Sequence, residues 1–422
     1  MSWNARTPLI GTTTGRTFMH TTAPPRTTAP EIRSSRTGWP GVVAVTAGIF
    51  AIVTTEILPI GLLTSIGAGF AVSDGMAGLM MTMPGFLAAI AAPLVTVTTA
   101  RLDRRAMLCA CILLLAGANF IAAAATDYWL LLVSRVLVGV TIGGFWSIGA
   151  GLASRLVPPA SVGRATAVIF SAVPLGSVLG VPAGTFIGEI AGWRTAFVVL
   201  GVFSTAVLAA LVLTVPKLPP VRPTRVAALV GMLRGAGTRF ALVLTFLIVA
   251  AHFGAYTYVT PFLEDVTMAG SATVTVVLLG YGAAGMAGNF LCGATASRFP
   301  RATFAAVAAA VAASTLLLPV LGHGLFGAIA LLTLWGLAYG GVPVCSQTWF
   351  AKAAPQSIEA SSVLFTASFQ ATIGMGALAG GFVVDRSSPA AIMTLAGVLA
   401  LLTALVVYAH HAKRVAWPEP GR

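Results

Sequence analysis

The sequence predicts an all-α integral membrane protein of twelve transmembrane helices arranged as two six-helix repeats. Three observations carry this. The 422 residues are 57% hydrophobic and 8% charged, with mean hydropathy +0.94, whereas soluble domains carry about 25% charge. Twelve apolar runs are each long enough to cross a bilayer: 41–66, 77–98, 106–126, 129–152, 164–188, 194–215, 239–263, 272–296, 302–321, 325–350, 358–383 and 389–410. The charges between the runs then fall on alternate sides.

With both termini placed in the cytoplasm, all but three of the 24 basic residues lie in inner loops or tails. The exceptions are Arg135, within a span, and Arg194 and Arg386, outside. The outer loops carry Asp74, Asp127, Glu189, Glu264, Asp265 and Asp385. This is the positive-inside asymmetry. It accounts for the net charge of +13 without a nucleic-acid partner. Cys109, Cys111, Cys292 and Cys345 sit in or beside apolar runs with no metal-ligand spacing.

Residues 1–38, rich in Thr, Pro and Arg, read as a disordered cytoplasmic tail. A six-helix bundle is expected over 39–215 and a second over 239–411. A basic, proline-broken cytoplasmic linker, 216–238, joins them, and a short tail follows at 412–422. The bundles repeat one another. Gly139-Val-Thr-Ile-Gly-Gly144 matches Gly336-Leu-Ala-Tyr-Gly-Gly341, 197 residues on, and Arg101-Leu102 matches Arg298-Phe299 at the same offset. Pro159, Ser161, Gly180, Gly184 and Glu189 match Pro355, Ser357, Gly376, Gly380 and Asp385 at offset 196. Parallel repeats with a substrate site at the midplane between them are a transporter architecture.

The fifth run holds Gly176, Gly180, Gly184 and Gly188 four residues apart, with Pro182 among them. On a helix these form a smooth stripe about 18 Å long. It is either a tight packing face or a surface on which two halves slide, with Pro182 bending the helix.

Two charges lie unequivocally within spans, at a cost of several kcal/mol each. Glu56 and Arg135 fall at matching depths, so a pair is geometrically allowed. They read either as a static salt bridge or as a carboxyl that alternates between a proton and Arg135 or substrate. His252 is offset 196 from Glu56 and occupies the equivalent place in the second half. It is a hydrogen-bonded core residue or a second titrating group. Tyr256 follows one turn on and offers a ring and hydroxyl to substrate; Tyr258 reads as an aromatic-belt anchor. Gln370 is the leading amide for substrate, Asn289 another candidate, and Asn119 either a substrate contact or interhelical glue. Phe145 and Trp146 line a cavity or only pack.

These features resemble the major facilitator superfamily over residues 40–410. Arg135-Val-Leu-Val-Gly139 resembles the arginine motif of its fourth helix, and Gly176–Gly188 the motif of its proton-coupled antiporters. Thr96-Val-Thr-Thr-Ala-Arg-Leu-Asp-Arg-Arg105 resembles its loop motif. Within the drug/proton antiporter group, Thr54–Leu63, Leu102-Asp-Arg-Arg105, Phe145-Trp-Ser147 and Ala251–Tyr258 are similar to the bacterial sugar-efflux branch, exporters of arabinose and thiogalactoside-type compounds. There are departures. Ala100 and Ser297 stand where the loop motifs usually carry an acid, and Asp103 where they carry glycine. The loop is therefore expected to clamp helix ends through Arg104 and Arg105. Ile142 replaces a histidine common in relatives, and Thr260 an acid.

The resemblance implies a proton-coupled secondary transporter that exports sugars, sugar-like compounds or drugs across a bacterial inner membrane. Glu56, Arg135 and His252 would couple to protons. The protein would work as a monomer with no prosthetic group or metal. An importer of the same fold, and a multidrug or secondary-metabolite exporter with no sugar activity, remain open. No Gly-Lys-Ser or Gly-Lys-Thr nucleotide loop is present, and no HExxH or GxSxG motif points to an enzyme.

Overall fold

In hydrocarbon a backbone amide has no water to turn to, so an apolar run that crosses must satisfy its own N–H and C=O groups as a helix. The computed structural model describes residues 38–99, 102–149, 152–219, 231–353 and 358–412. The expected tails, apart from Gly38 and Ala412, and residues 220–230 of the linker lie outside the described residues. Twelve helices are long and apolar enough to cross a membrane. They are α1 Trp39–Gly61, α2 Asp74–Thr96, α3 Arg104–Ala124, α4 Tyr128–Trp146, α5 Pro159–Ala191, α6 Trp193–Thr214, α7 Ala236–Tyr256, α8 Ser271–Ala296, α9 Pro300–Leu321, α10 Leu325–Ala353, α11 Ser361–Arg386 and α12 Pro389–Ala409. No strand occurs among the described residues.

Two apolar runs are interrupted where the sequence reads them as continuous. The first breaks at Leu62, whose N–H donates to the Pro59 carbonyl (3.2 Å), and resumes as Leu63–Phe70. The seventh breaks beside Tyr258, whose N–H donates to Ala255 (3.0 Å), and resumes as Val259–Asp265. The two breaks stand 196 residues apart, so the repeat extends to its irregularities.

The halves are built alike. In the first, α4 packs on α2, α5 on α1 and α6 on α3; in the second, α10 packs on α8, α11 on α7 and α12 on α9. The halves then meet through α2 with α11 and α5 with α8, a twofold-related pair of seams. The glycine stripe of α5 faces α1 of its own half: Gly176, Gly180, Gly184 and Gly188 lie on Val53, Ile57, Leu58 and Leu62. A Cβ at Gly184 would stand 2.6 Å from Leu58 Cδ1. So the stripe is a packing face, and the sliding surface expected of it lies elsewhere on α5. Val178 meets Gly282 of α8, where a Cβ would stand 2.7 Å from Val178 Cα, and Thr185 Oγ1 accepts from Thr275 Oγ1 (2.7 Å). Helix α5 runs unbroken through Pro174 and Pro182.

At the end carrying the acidic loops the halves are closed. Asp385, at the end of α11, accepts from Ser73 Oγ (2.7 Å) and from the Gly75 amide at the start of α2 (2.8 Å). Thr260, at the position where relatives often carry an acid, donates to the Ile60 carbonyl across the seam (2.9 Å). Tyr258 is no belt anchor: it is fully buried and donates to the Ala377 carbonyl (2.8 Å). Deeper along this seam, a Cβ at Gly85 would lie 2.7 Å from Gln370 O.

Arg135 organises the first half at mid-depth. Its Nε donates to Met80 O (3.1 Å), and its Nη2 to Thr55 O (3.0 Å) and Glu56 O (3.2 Å). Met80 and Thr55 each precede a proline by four residues, Pro84 and Pro59. Proline has no N–H, so it leaves the carbonyl four residues back without its helical donor. The guanidinium thus supplies the donors that two prolines remove, and ties α1, α2 and α4 together as it does so.

Replacing Arg135 by Ala is expected to cost about 1–3 kcal/mol for each carbonyl left bare, read as a lower thermal midpoint in detergent. Adding Pro59→Ala and Pro84→Ala restores the helical donors and should recover most of it. No recovery would sink the clasp. At the seam, Gly282→Leu drives a side chain into the α5 backbone and should part the acidic end. A thiol reagent should then label Ser73→Cys several-fold faster than in the Gly282 parent, as expected when overpacking displaces backbone.

Candidate functional site

Glu56 lies in α1 one turn before Pro59, facing the other half, and keeps 9% of its surface exposed. Its carboxylate does not close on Arg135, the pairing its depth allows. Oε1 accepts from Gln370 Nε2 of α11 (2.9 Å), so the buried acid of one half is held by an amide of the other. Arg135 has no exposed surface, and its donors are taken by the backbone carbonyls described above. Its charge still acts on Glu56 through space. Arg135 and Glu56 lie in the same half, so the Glu56–Gln370 bond is the one of these contacts that crosses between the halves.

Opposite Glu56, the second half presents a slab of rings. His252 and Tyr256 come from α7, Tyr281 from α8, and Trp335 and Tyr339 from α10. Tyr339 stacks on His252 (centroids 3.2 Å, planes 6°), His252 on Tyr256 (5.0 Å, 20°) and Tyr256 on Tyr281 (4.5 Å, 22°). Trp335 stands edge-on to His252, Tyr256 and Tyr281 at 5.5, 5.9 and 6.0 Å. Tyr339, half-buried at one end of the slab, is within electrostatic range of Glu56. His252 and Tyr256 therefore meet the rings of α8 and α10. Tyr281, Trp335 and Tyr339 are not singled out by sequence reasoning. One signal was available: Tyr339 is the repeat counterpart of Ile142, at offset 197.

The other candidates land elsewhere. Phe145 is fully buried in the first half's own core, its ring against Gly48. Trp146 is half-buried and packs on Phe170 of α5 (6.1 Å). Asn119 Nδ2 donates to Thr55 Oγ1 (3.1 Å) and Leu115 O (3.0 Å), pinning α3 to α1 as interhelical glue. Asn289 is only half-buried.

The loop after α2 stays within its half. Asp103 caps α3 by accepting from the Arg105 amide (2.7 Å), and its other oxygen accepts from Leu218 N (3.2 Å). The Arg104 amide donates to Leu218 O (2.9 Å), and its guanidinium meets Met107 Sδ (3.4 Å). The Arg105 guanidinium donates to Val212 O at the end of α6. Arg105 thus clamps a helix end as expected, while Asp103 and the Arg104 amide hold the start of the linker. Among the described residues, no three His, Cys, Asp or Glu side chains converge to hold a metal.

The site is thus a carboxyl bonded from one half to the other, with a set of stacked rings in the second half. Known proteins agree with the fold. "Transcription regulatory protein OpdE" of Pseudomonas aeruginosa is 33% identical over 388 residues, covering 89% of this chain and 96% of that protein. "Purine ribonucleoside efflux pump NepI" of Escherichia coli (strain K12) is 30% identical over 375 residues, covering 89% and 95%. Among solved structures, a bacterial homologue of the human lysosomal transporter Spinster, inward-facing and occupied, superposes with TM-score 0.72 at 17% identity over 90% of this chain and 98% of that one. The human organic anion transporter MFSD10 (TETRAN) superposes with TM-score 0.66 at 20% identity over 88% and 99%. Residues 43–374 match the Major Facilitator Superfamily. With twelve spans in two repeats and this family match, the chain belongs to the Major Facilitator Superfamily, whose members are transporters and not enzymes.

Proposed function

We propose that this protein is a proton-coupled exporter of small organic molecules, working as a monomer by alternating access across a bacterial inner membrane, with both termini in the cytoplasm. The observation that carries the coupling is the Glu56–Gln370 hydrogen bond between the halves (2.9 Å). An anion buried with one amide donor is costly, because the desolvation of a carboxylate exceeds what one hydrogen bond returns. The proton therefore travels with the closed arrangement and leaves when Glu56 meets water. In the arrangement closed at the acidic end, Glu56 would release its proton toward the basic, cytoplasmic side and substrate would enter from there. The gradient then drives the exchange.

The relative named as a purine ribonucleoside efflux pump supports nucleoside-type compounds as substrates. Simple sugars, which the branch resemblance implies, have no support in the relatives described. Flat rings beside a carboxyl and an amide suit a molecule with one planar, heteroatom-bearing part and one hydroxyl-bearing part.

Inside-out vesicles energised to an acid interior provide the test. Adding inosine or adenosine should dissipate the pH gradient, and adding arabinose should not. Glu56→Gln should abolish proton-driven uptake while leaving nucleoside counterflow, which needs no proton movement. Gln370→Ala should slow uptake roughly tenfold, the scale of one hydrogen bond. Accumulation of nucleoside by Glu56→Gln against a gradient would remove the carboxyl from the coupling.

A further inference from the structure

We infer that the ring slab of the second half is a binding slot for a planar nitrogen heterocycle, the base of a nucleoside, which enters by parting Tyr339 from His252. This rests on the transport reading above and adds to it the place where the base binds. The warrant is the set of polar atoms the slab leaves without partners. His252 Nδ1, Tyr281 Oη, Trp335 Nε1 and Tyr339 Oη are all buried and form no hydrogen bond. His252, Trp335 and Tyr281 belong to the buried interior, at 1%, 0% and 7% exposure. Buried polar groups are otherwise paired in the great majority of cases. Phenylalanine would fill the same volume with no such penalty, so a core selected only for packing has no use for these atoms.

Their chemistry is specific. A tyrosine hydroxyl donates and accepts, the indole N–H only donates, and a neutral imidazole nitrogen does one or the other. A purine carries ring nitrogens that accept, exocyclic groups that donate or accept, and two flat faces. It can replace the Tyr339–His252 stack with a sandwich on both faces while its edges pair with the orphaned atoms. A pyranose offers no flat face of that kind. The slab is also placed for entry. Its end ring, Tyr339, is half-buried and within electrostatic range of Glu56, and Gln370 lies on that carboxyl. A base held beneath Tyr339 would direct its hydroxyl-bearing part toward the coupling pair.

The test uses the full-length protein purified in detergent, with no gradient, and measures binding of inosine, adenosine and free ribose by calorimetry. Nucleosides should bind and ribose should not. Tyr339→Phe and Tyr281→Phe keep the ring and delete an unpartnered hydroxyl. Each should leave the thermal midpoint of the empty protein unchanged or higher, yet weaken nucleoside binding by about tenfold, the scale of one hydrogen bond. A merely structural role would raise stability and leave affinity untouched. The slot is overturned if nucleosides fail to bind the wild-type protein, or if both variants bind them as tightly as it does. It stands, and the export reading alone falls, if binding depends on the two hydroxyls but vesicles do not move the nucleoside.

Discussion

The first half depends on a debt left by proline. Pro59 and Pro84 each strip a carbonyl of its helical donor at mid-membrane, where no water can replace it. One guanidinium answers both, and its fork geometry suits the task because Arg presents several donors in a fixed plane. Three helices are thereby locked at the depth of Glu56. The lock also explains why Glu56 is available to the other half. The cation next to it is already engaged, so the carboxyl reaches across the seam to Gln370 instead. Arg135 acts as a clasp whose charge reaches Glu56 only through space.

The two halves share a backbone plan and divide the chemistry. Helix pairs, seams and even the helix breaks recur at the same offsets. The side chains at equivalent places do not. Glu56 corresponds to His252, and Ile142 to Tyr339. The first half therefore carries the ionisable pair and an apolar core around Ile142 and Phe145, while the second carries the rings. On the proposed reading, a site assembled from unlike halves of a like scaffold would hold a proton on one wall and a flat molecule on the other, and relative motion of the walls would link the two occupancies.

Small residues serve two purposes that share helices but not faces. The stripe from Gly176 to Gly188 fixes α5 on α1 inside one half, as Gly376 and Gly380 fix α11 on α7 in the other. Close approach there makes each half rigid. The neighbouring faces, Val178 with Gly282 and Gly85 with Gln370, form the seams. The acidic end is closed by Asp385 on Ser73 and Gly75, bonds exposed enough to exchange with water. Rigid halves with a wet, polar latch between them provide what rocking needs.

The twelve spans and the repeat were legible because each follows from composition counted along one dimension: hydropathy and a constant offset. That Glu56 and Arg135 lie level with each other was legible too, since rise per residue is fixed. Partner choice was not. Depth leaves the rotation of each helix and the identity of its neighbour undetermined, so two charges at one level look like a pair when they are not bonded. The periodicity of the glycines shows that they share a face but not which helix that face meets. The role of Arg135 needed the proline three residues before α1's break and another in α2 to be brought to one point in space. Tyr281, Trp335 and Tyr339 lie on two helices far apart in sequence from His252, each unremarkable in an apolar run. Only packing of α7, α8 and α10 made them one surface, because which rings meet is set by the angles at which helices cross and not by any spacing within one of them.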